Sequence, residues 1–145
     1  MIESILLVDD EDLFHLVFED ACSLLDISLS LQSLNSADEA EKKFKKWFQD
    51  GAEDEKPECV FVDLNIIGSS FDGIELIRKI NFEYGNHVVI GIISSSNESE
   101  EQAKAIQAGA QFWIIKSDDI EPRLEDFRND YEGYKNRTAP FKIYK

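Results

Sequence analysis

Residues 5–11 read Ile-Leu-Leu-Val-Asp-Asp-Glu: four apolar residues in a row, then three acids. A short continuous apolar run cut off by turn-forming residues fits a strand covered on both faces, and such strands belong to parallel sheets. Taking Ile5 to Asp9 as the first strand, the same form returns at Cys59 to Asp63 (CVFVD), Val88 to Ser94 (VVIGIIS) and Phe112 to Lys116 (FWIIK). Ser28 to Leu34 differs: Leu29 and Leu31 alternate with Ser28, Ser30 and Gln32, as expected of an edge strand.

Amphipathic segments fill the gaps. Leu13, Leu16, Val17, Ala21, Leu24 and Leu25 recur at helical spacing and predict one apolar stripe. Ser36 followed by Glu39 reads as a capping box, opening a helix with Ala40, Phe44, Trp47 and Phe48 on its inner face and a stop at Asp50-Gly51. Ile74, Ile77, Ile80 and Tyr84 stripe a third helix, ended by Gly85-Asn86. Glu98 to Ala108 is helical by propensity, with a thin inner face of Ala103, Ile106 and Ala108. Ile120, Leu124, Phe127 and Tyr131 form the last stripe, with Pro122 in its first turn. Strand and helix alternate as (βα)5, which right-handed crossovers turn into a doubly wound α/β fold with a five-stranded parallel sheet. The acidic Gln49 to Glu58 segment reads as an exposed turn.

At 145 residues there is room for one ordinary domain. The formal charge of −15 argues against a surface that neutralises nucleic-acid phosphates or sits on anionic lipid. No apolar run approaches a membrane span, and acids at Glu3 and Asp9 interrupt any secretory segment. Cys22 and Cys59, far apart and without CxxC spacing, fit a reduced cytoplasm and make zinc a poor candidate. His15 and His87 read as surface residues. Residues 134–145 invert the chain's charge, with four basic residues and no acid, and are expected to be a free terminus, to fold back on the acidic body or to dock a partner.

In an open α/β sheet, ligands bind outside the carboxyl ends of the strands. The strands deliver Asp9-Asp10, Asp63, Ser94 and Lys116 to that rim. Two carboxylates about 5 Å apart repel by roughly 3 kcal/mol at an effective dielectric near 20. Three of them answered by one lysine suit a hard divalent cation, and a carboxylate site with few ligands and room for water suits Mg²⁺. With the ion bound, one carboxylate could attack a phosphorus while the metal, Lys116 and a serine hydroxyl stabilise the phosphoryl oxygens.

Four motifs in order at strand ends, ILLVDDE (5–11), VFVDLN (60–65), Ser94-Ser95 and QAGAQFWIIK (107–116), resemble the receiver domain of bacterial two-component response regulators, over about Ser4 to Tyr131. The resemblance implies a flavodoxin-like sheet of order 2-1-3-4-5, a receiver over residues 1–133, and a basic tail at 134–145. It makes Asp63 the acceptor of phosphate from a sensor histidine kinase or phosphotransfer protein. Asp9 and Asp10 would hold Mg²⁺ with Asp63, Asp10 being the more direct ligand, and the Asn65 carbonyl would complete the shell. Lys116 would pair with the phosphoryl group, Ser94 would be the switch hydroxyl, and Trp113 the aromatic that moves with it. Asn65 and Ser96 would tune the lifetime of the phosphoryl group, and Ser95 would leave its pocket open.

With too few residues after Tyr131 for an output module, signalling is expected through protein contacts of the fourth helix, fifth strand and fifth helix. The implied protein is a stand-alone cytoplasmic switch rather than an enzyme, with an unspecified downstream protein target and no nucleic acid or membrane. Three departures stand out. Ile67 occupies a position where receivers usually carry proline, the stretch from Asp63 to Asp72-Gly73 is about two residues longer than the usual pattern, and Ser117 replaces another proline. A non-proline cis bond costs roughly 2.5–4 kcal/mol, so Lys116-Ser117 is expected to be trans. These departures motivate a rival reading as a phosphorylation-independent interaction module. A Mg²⁺-dependent phosphohydrolase of the haloacid-dehalogenase type would want a second Asp where Asn65 stands. A flavin-binding module lacks its phosphate loop after the first strand.

Overall fold

The structure is a computed structural model describing residues 2–51, 56–85 and 87–145, without the side chains of Ser28 and Leu29. The helix stop expected at Asn86 and the centre of the acidic 49–58 turn lie outside the described residues. The elements run β1 (Ile2–Val8), α1 (Asp12–Leu25), β2 (Ser28–Leu34), α2 (Ala37–Phe48), β3 (Cys59–Asp63), α3 (Gly73–Tyr84), β4 (Val89–Ser94), α4 (Ser99–Ala108), β5 (Phe112–Ile115), α5 (Glu121–Lys135) and β6 (Lys142–Tyr144).

All neighbouring strands are parallel, in the order β2-β1-β3-β4-β5-β6. The expected 2-1-3-4-5 order holds, and the alternating β2 is an edge strand. Successive side chains in a strand point to opposite faces, so each run fills two cores. Leu6, Val8, Val60, Val62, Ile90 and Ile92 face α2, α3 and α4, together with Phe44, Trp47 and Ile77. Ile5, Leu7, Phe61, Ile93 and Phe112 face α1 and α5, together with Phe18, Leu124 and Phe127.

The Ser36 hydroxyl caps α2 by accepting from Glu39 N at 3.1 Å, as the capping box predicts. Asp72 caps α3 by accepting from Glu75 N at 2.8 Å. Gly85 closes α3 at φ 71°, a left-handed conformation that favours glycine. The α3 and α5 stripes are buried as expected, and no cis peptide bond occurs among the described residues, so Lys116-Ser117 is trans.

Three expectations need correction. Helix α1 buries Phe14, Phe18, Ala21 and Cys22, leaving Leu13, Leu16 and Leu24 at 74%, 63% and 68% exposure. Two apolar stripes overlap on this helix, and the aromatic one wins because its rings bury more area. Phe18 packs edge-on against Phe61 with centroids 5.1 Å apart. Helix α4 turns Gln102, Ala105 and Ala108 inward, while Ala103 and Ile106 are exposed. A glutamine can lie inside because Gln102 Nε2 donates to Asn97 Oδ1 at 2.8 Å. His15, expected at the surface, is half-buried, and its Nε2 lies 2.5 Å from the Asp9 carbonyl oxygen.

The tail folds back. After α5, Lys142–Tyr144 adds the sixth strand beside β5, pairing Phe112 with Lys142 and Ile114 with Tyr144. Tyr134 and Tyr144 share a buried O–H···O contact of 2.8 Å, and the Tyr144 hydroxyl donates to Asp130 Oδ2 at 2.7 Å. Lys142 Nζ reaches the same oxygen at 3.0 Å, so the strand is fixed at both its charged and its aromatic residues.

Candidate functional site

The register places the ends of β1 and β3 side by side, pairing Val8 with Val62 and Asp63 with Ile93. Asp9, one residue past β1, and Asp63, the last residue of β3, therefore meet at the carboxyl rim, where both are buried. Glycine at position 73 permits the next turn: a Cβ there would lie 2.0 Å from the Asp63 carbonyl oxygen. Helix α3 can start that close to the strand end only because its first residue has no side chain.

Asp9, Asp10 and Asp63 each offer a carboxylate oxygen within 4.8 Å of the others. Lys116 Nζ enters this group 2.7 Å from Asp9 Oδ2, 2.7 Å from Glu11 Oε1 and 3.5 Å from Asp63 Oδ2. The same ammonium lies 4.5 Å from the centroid of the Phe14 ring. Burial, followed by repulsion from Asp9, pushes the Asp63 carboxyl up to about 7, although Lys116 pulls the other way. Burial alone would lower the Lys116 ammonium. Its hydrogen bonds to Asp9 and Glu11 and the charges of Asp63 and Asp9 outweigh that cost and raise it.

Asp10 is held from the β3–α3 loop. Ile67 N donates to Asp10 Oδ2 at 3.2 Å, a bond that a proline at this position could not make. The loop is anchored against the start of α2: Ser69 Oγ accepts from Ala37 N at 2.9 Å, and Ser70 N donates to Asp38 Oδ2 at 3.0 Å. The N–H of Ile67 and the serine anchors of this loop thus belong to one arrangement, in which the loop lends an N–H to the acidic cluster.

Ser94 is buried, and its hydroxyl accepts from Ser96 N at 3.2 Å. Trp113 is fully buried, and its indole Nε1 donates to the Ser96 carbonyl at 3.0 Å. The residues named as switch and tuner are thus linked through one loop, β4 to α4. Asn65 and Ser95 are exposed, Asn65 lying two residues past Asp63 in the β3–α3 loop. Asp9, Asp10, Asp63 and Lys116 come together, whereas Ser94, Ser96 and Trp113 form an adjoining group. Sequence reasoning assigned no role to Glu11, whose side chain pairs with Lys116 and whose N donates to Asp9 Oδ1 at 2.8 Å. The third acid of ILLVDDE was the available signal.

The carboxylates fit a hard divalent cation: three oxygen donors are gathered around a buried centre that a single ammonium leaves net negative. A parallel doubly wound sheet with an acidic pocket and one lysine at its carboxyl rim defines a class of α/β proteins. The chain belongs to the response regulator receiver domain family, whose profile matches residues 5–125. No curated protein matches the sequence.

Solved structures share the fold. The phosphorylated cyanobacterial phytochrome response regulator RcpA is 18% identical with a TM-score of 0.71, covering 96% of this chain and 97% of its own. The Mn²⁺-bound response regulator Rcp1 is 15% identical with a TM-score of 0.69, over 95% and 98%. The receiver domain of NtrX from Brucella abortus is 28% identical with a TM-score of 0.63, over 86% and 96%.

Proposed function

We propose that this receiver is a phosphorylation-driven switch in which Asp63 accepts a phosphoryl group from a sensor histidine kinase or a phosphotransfer protein. One observation carries the reading. Asp63 is a buried strand-end carboxylate with two further carboxylates and an ammonium gathered around it.

The Asp63 carboxylate attacks the phosphorus of a phosphohistidine. A P–O bond forms as the P–N bond breaks, and the departing imidazole nitrogen keeps the electron pair. Asp9, Asp10, Asp63 and the Asn65 carbonyl would hold Mg²⁺, which when bound supplies positive charge to the transferring phosphoryl oxygens. Lys116 adds an ammonium to the same oxygens. Ser94 supplies the switch hydroxyl, and its movement reaches Trp113 through the Ser96 link. Asn65 and Ser96 tune the lifetime of the acyl phosphate.

The phosphodonor docks beside α1, which exposes Leu13, Leu16 and Leu24 and whose Leu13 lines a cavity with Glu11, Phe14, Val17 and Lys116. Output passes through protein contacts of α4, β5 and α5. A charge of −15 and the absence, among the described residues, of any helix long and apolar enough to cross a membrane favour protein partners in the cytoplasm over nucleic acid or lipid.

The test is intact-mass analysis after acetyl phosphate with and without Mg²⁺. One phosphoryl mass is expected with Mg²⁺, lost in Asp63→Asn. A wild-type mass that never changes would support the interaction-module reading instead.

A further inference from the structure

Lys116 makes its two short contacts away from the proposed phosphoacceptor. Its ammonium lies 2.7 Å from Asp9 and from Glu11 but 3.5 Å from Asp63, and the Phe14 ring supports it from the α1 side. Glu11 is tied down at the same time, because its N donates to Asp9 Oδ1 and it is the residue from which α1 starts. The backbone that fixes Asp9 thus also aims the Glu11 carboxylate at Lys116.

We propose that Glu11 is a positioning residue that holds Lys116 on the α1 side in the resting state and competes with a phosphoryl group on Asp63 for the ammonium. The inference rests on the phosphoacceptor reading above. To reach phosphoryl oxygens, Lys116 must give up the Glu11 contact, so Glu11 opposes phosphoryl capture and favours the resting state. The Glu11 side chain is 61% exposed, which puts its pull in the range of a partly screened ion pair.

Beryllofluoride, a phosphoryl mimic, tests the competition at fixed Mg²⁺, with intrinsic tryptophan fluorescence reporting binding and acetyl-phosphate labelling run alongside. Glu11→Gln is expected to tighten beryllofluoride binding about two- to fivefold, the range that such an ion pair spans. Glu11→Asp, which keeps the charge on a shorter arm, should fall between Gln and wild type. Asp118→Asn removes a charge from the rim of the same cavity without touching Lys116, and should change binding less than twofold.

Unchanged or weaker binding in Glu11→Gln, with a wild type that takes up phosphoryl and mimic, would overturn the Glu11 role alone. Equal tightening in Asp118→Asn would also overturn it, leaving a general charge effect. A wild type that takes up neither group would overturn the phosphoacceptor reading, and this inference with it.

Discussion

At the carboxyl rim, Asp9, Asp10, Glu11 and Asp63 gather around Lys116. At the β5–β6 edge, Asp130 meets Lys142 and the phenols of Tyr134 and Tyr144. Each cluster sets carboxylate chemistry around a single lysine, yet the protons respond in opposite directions. Asp63 is pushed up to about 7 by burial and by Asp9, whereas the hydrogen bond from Tyr144, followed by that from Lys142, holds Asp130 below the usual carboxylate range. The edge cluster is balanced and its donors match its acceptors. The rim has more negative charge than its own residues neutralise. A buried carboxylate whose charged form the fold disfavours, at no evident structural gain, is a candidate for chemistry.

The contrast can be broken most directly by removing one carboxylate from each cluster. The protonated form of Asp63 is favoured in the folded chain. Its burial therefore costs stability increasingly as pH rises from the ordinary value of 3.8 to about 7, and the cost is complete above that. The ceiling is on the order of 4 kcal/mol. Asp63→Asn is expected to stabilise the protein by about 1–3 kcal/mol at pH 8 and far less at pH 4, measured by urea unfolding at both. An equal gain at both values would show that the rim is not strained by charge.

Asp130→Asn should act with the opposite sign. It should cost about 1.5 kcal/mol at pH 7, near the low end for hydrogen bonds to a charged group because the carboxylate is partly exposed. The Asp130 contribution is present above pH 3.8 and is lost as pH falls through its lowered value, so the deficit should shrink in acid. A deficit that grows in acid would refute the balanced description of the edge.

The third expectation sharpens the comparison. Mg²⁺ at ten times its dissociation constant should stabilise wild type by about 1.4 kcal/mol at pH 8, and less at pH 5, where Asp63 is largely protonated. Asp130→Asn should keep the full Mg²⁺ response, and Asp63→Asn should lose most of it, both read from thermal unfolding.

Much of this was legible in the chain itself. Apolar runs ending in acids, a serine or a lysine are strong signals, because parallel strands deliver their last residues to one rim whatever the helices do. The face that α1 buries was not legible: Leu13-Leu16-Leu24 and Phe14-Phe18-Cys22 are both apolar stripes, and only the rings already present at Phe61 choose between them. The Glu11 contact was hidden because it joins residues 105 positions apart through side chains alone. At residue 67 the sequence reveals an absent proline but not the carboxylate that its N–H reaches. The last strand is three residues long and follows Pro140 closely, too short for any periodicity to register.

That strand gives the chain a mechanical property beyond its place in the sheet. Tyr144 is gripped, while Lys145, one step further, is in solvent. A shift of β5 or α5 would drag the final residue along, as a pointer follows the shaft to which it is pinned. A fluorophore carried on Lys145 would therefore register movement of that edge from outside, beside the end of β5.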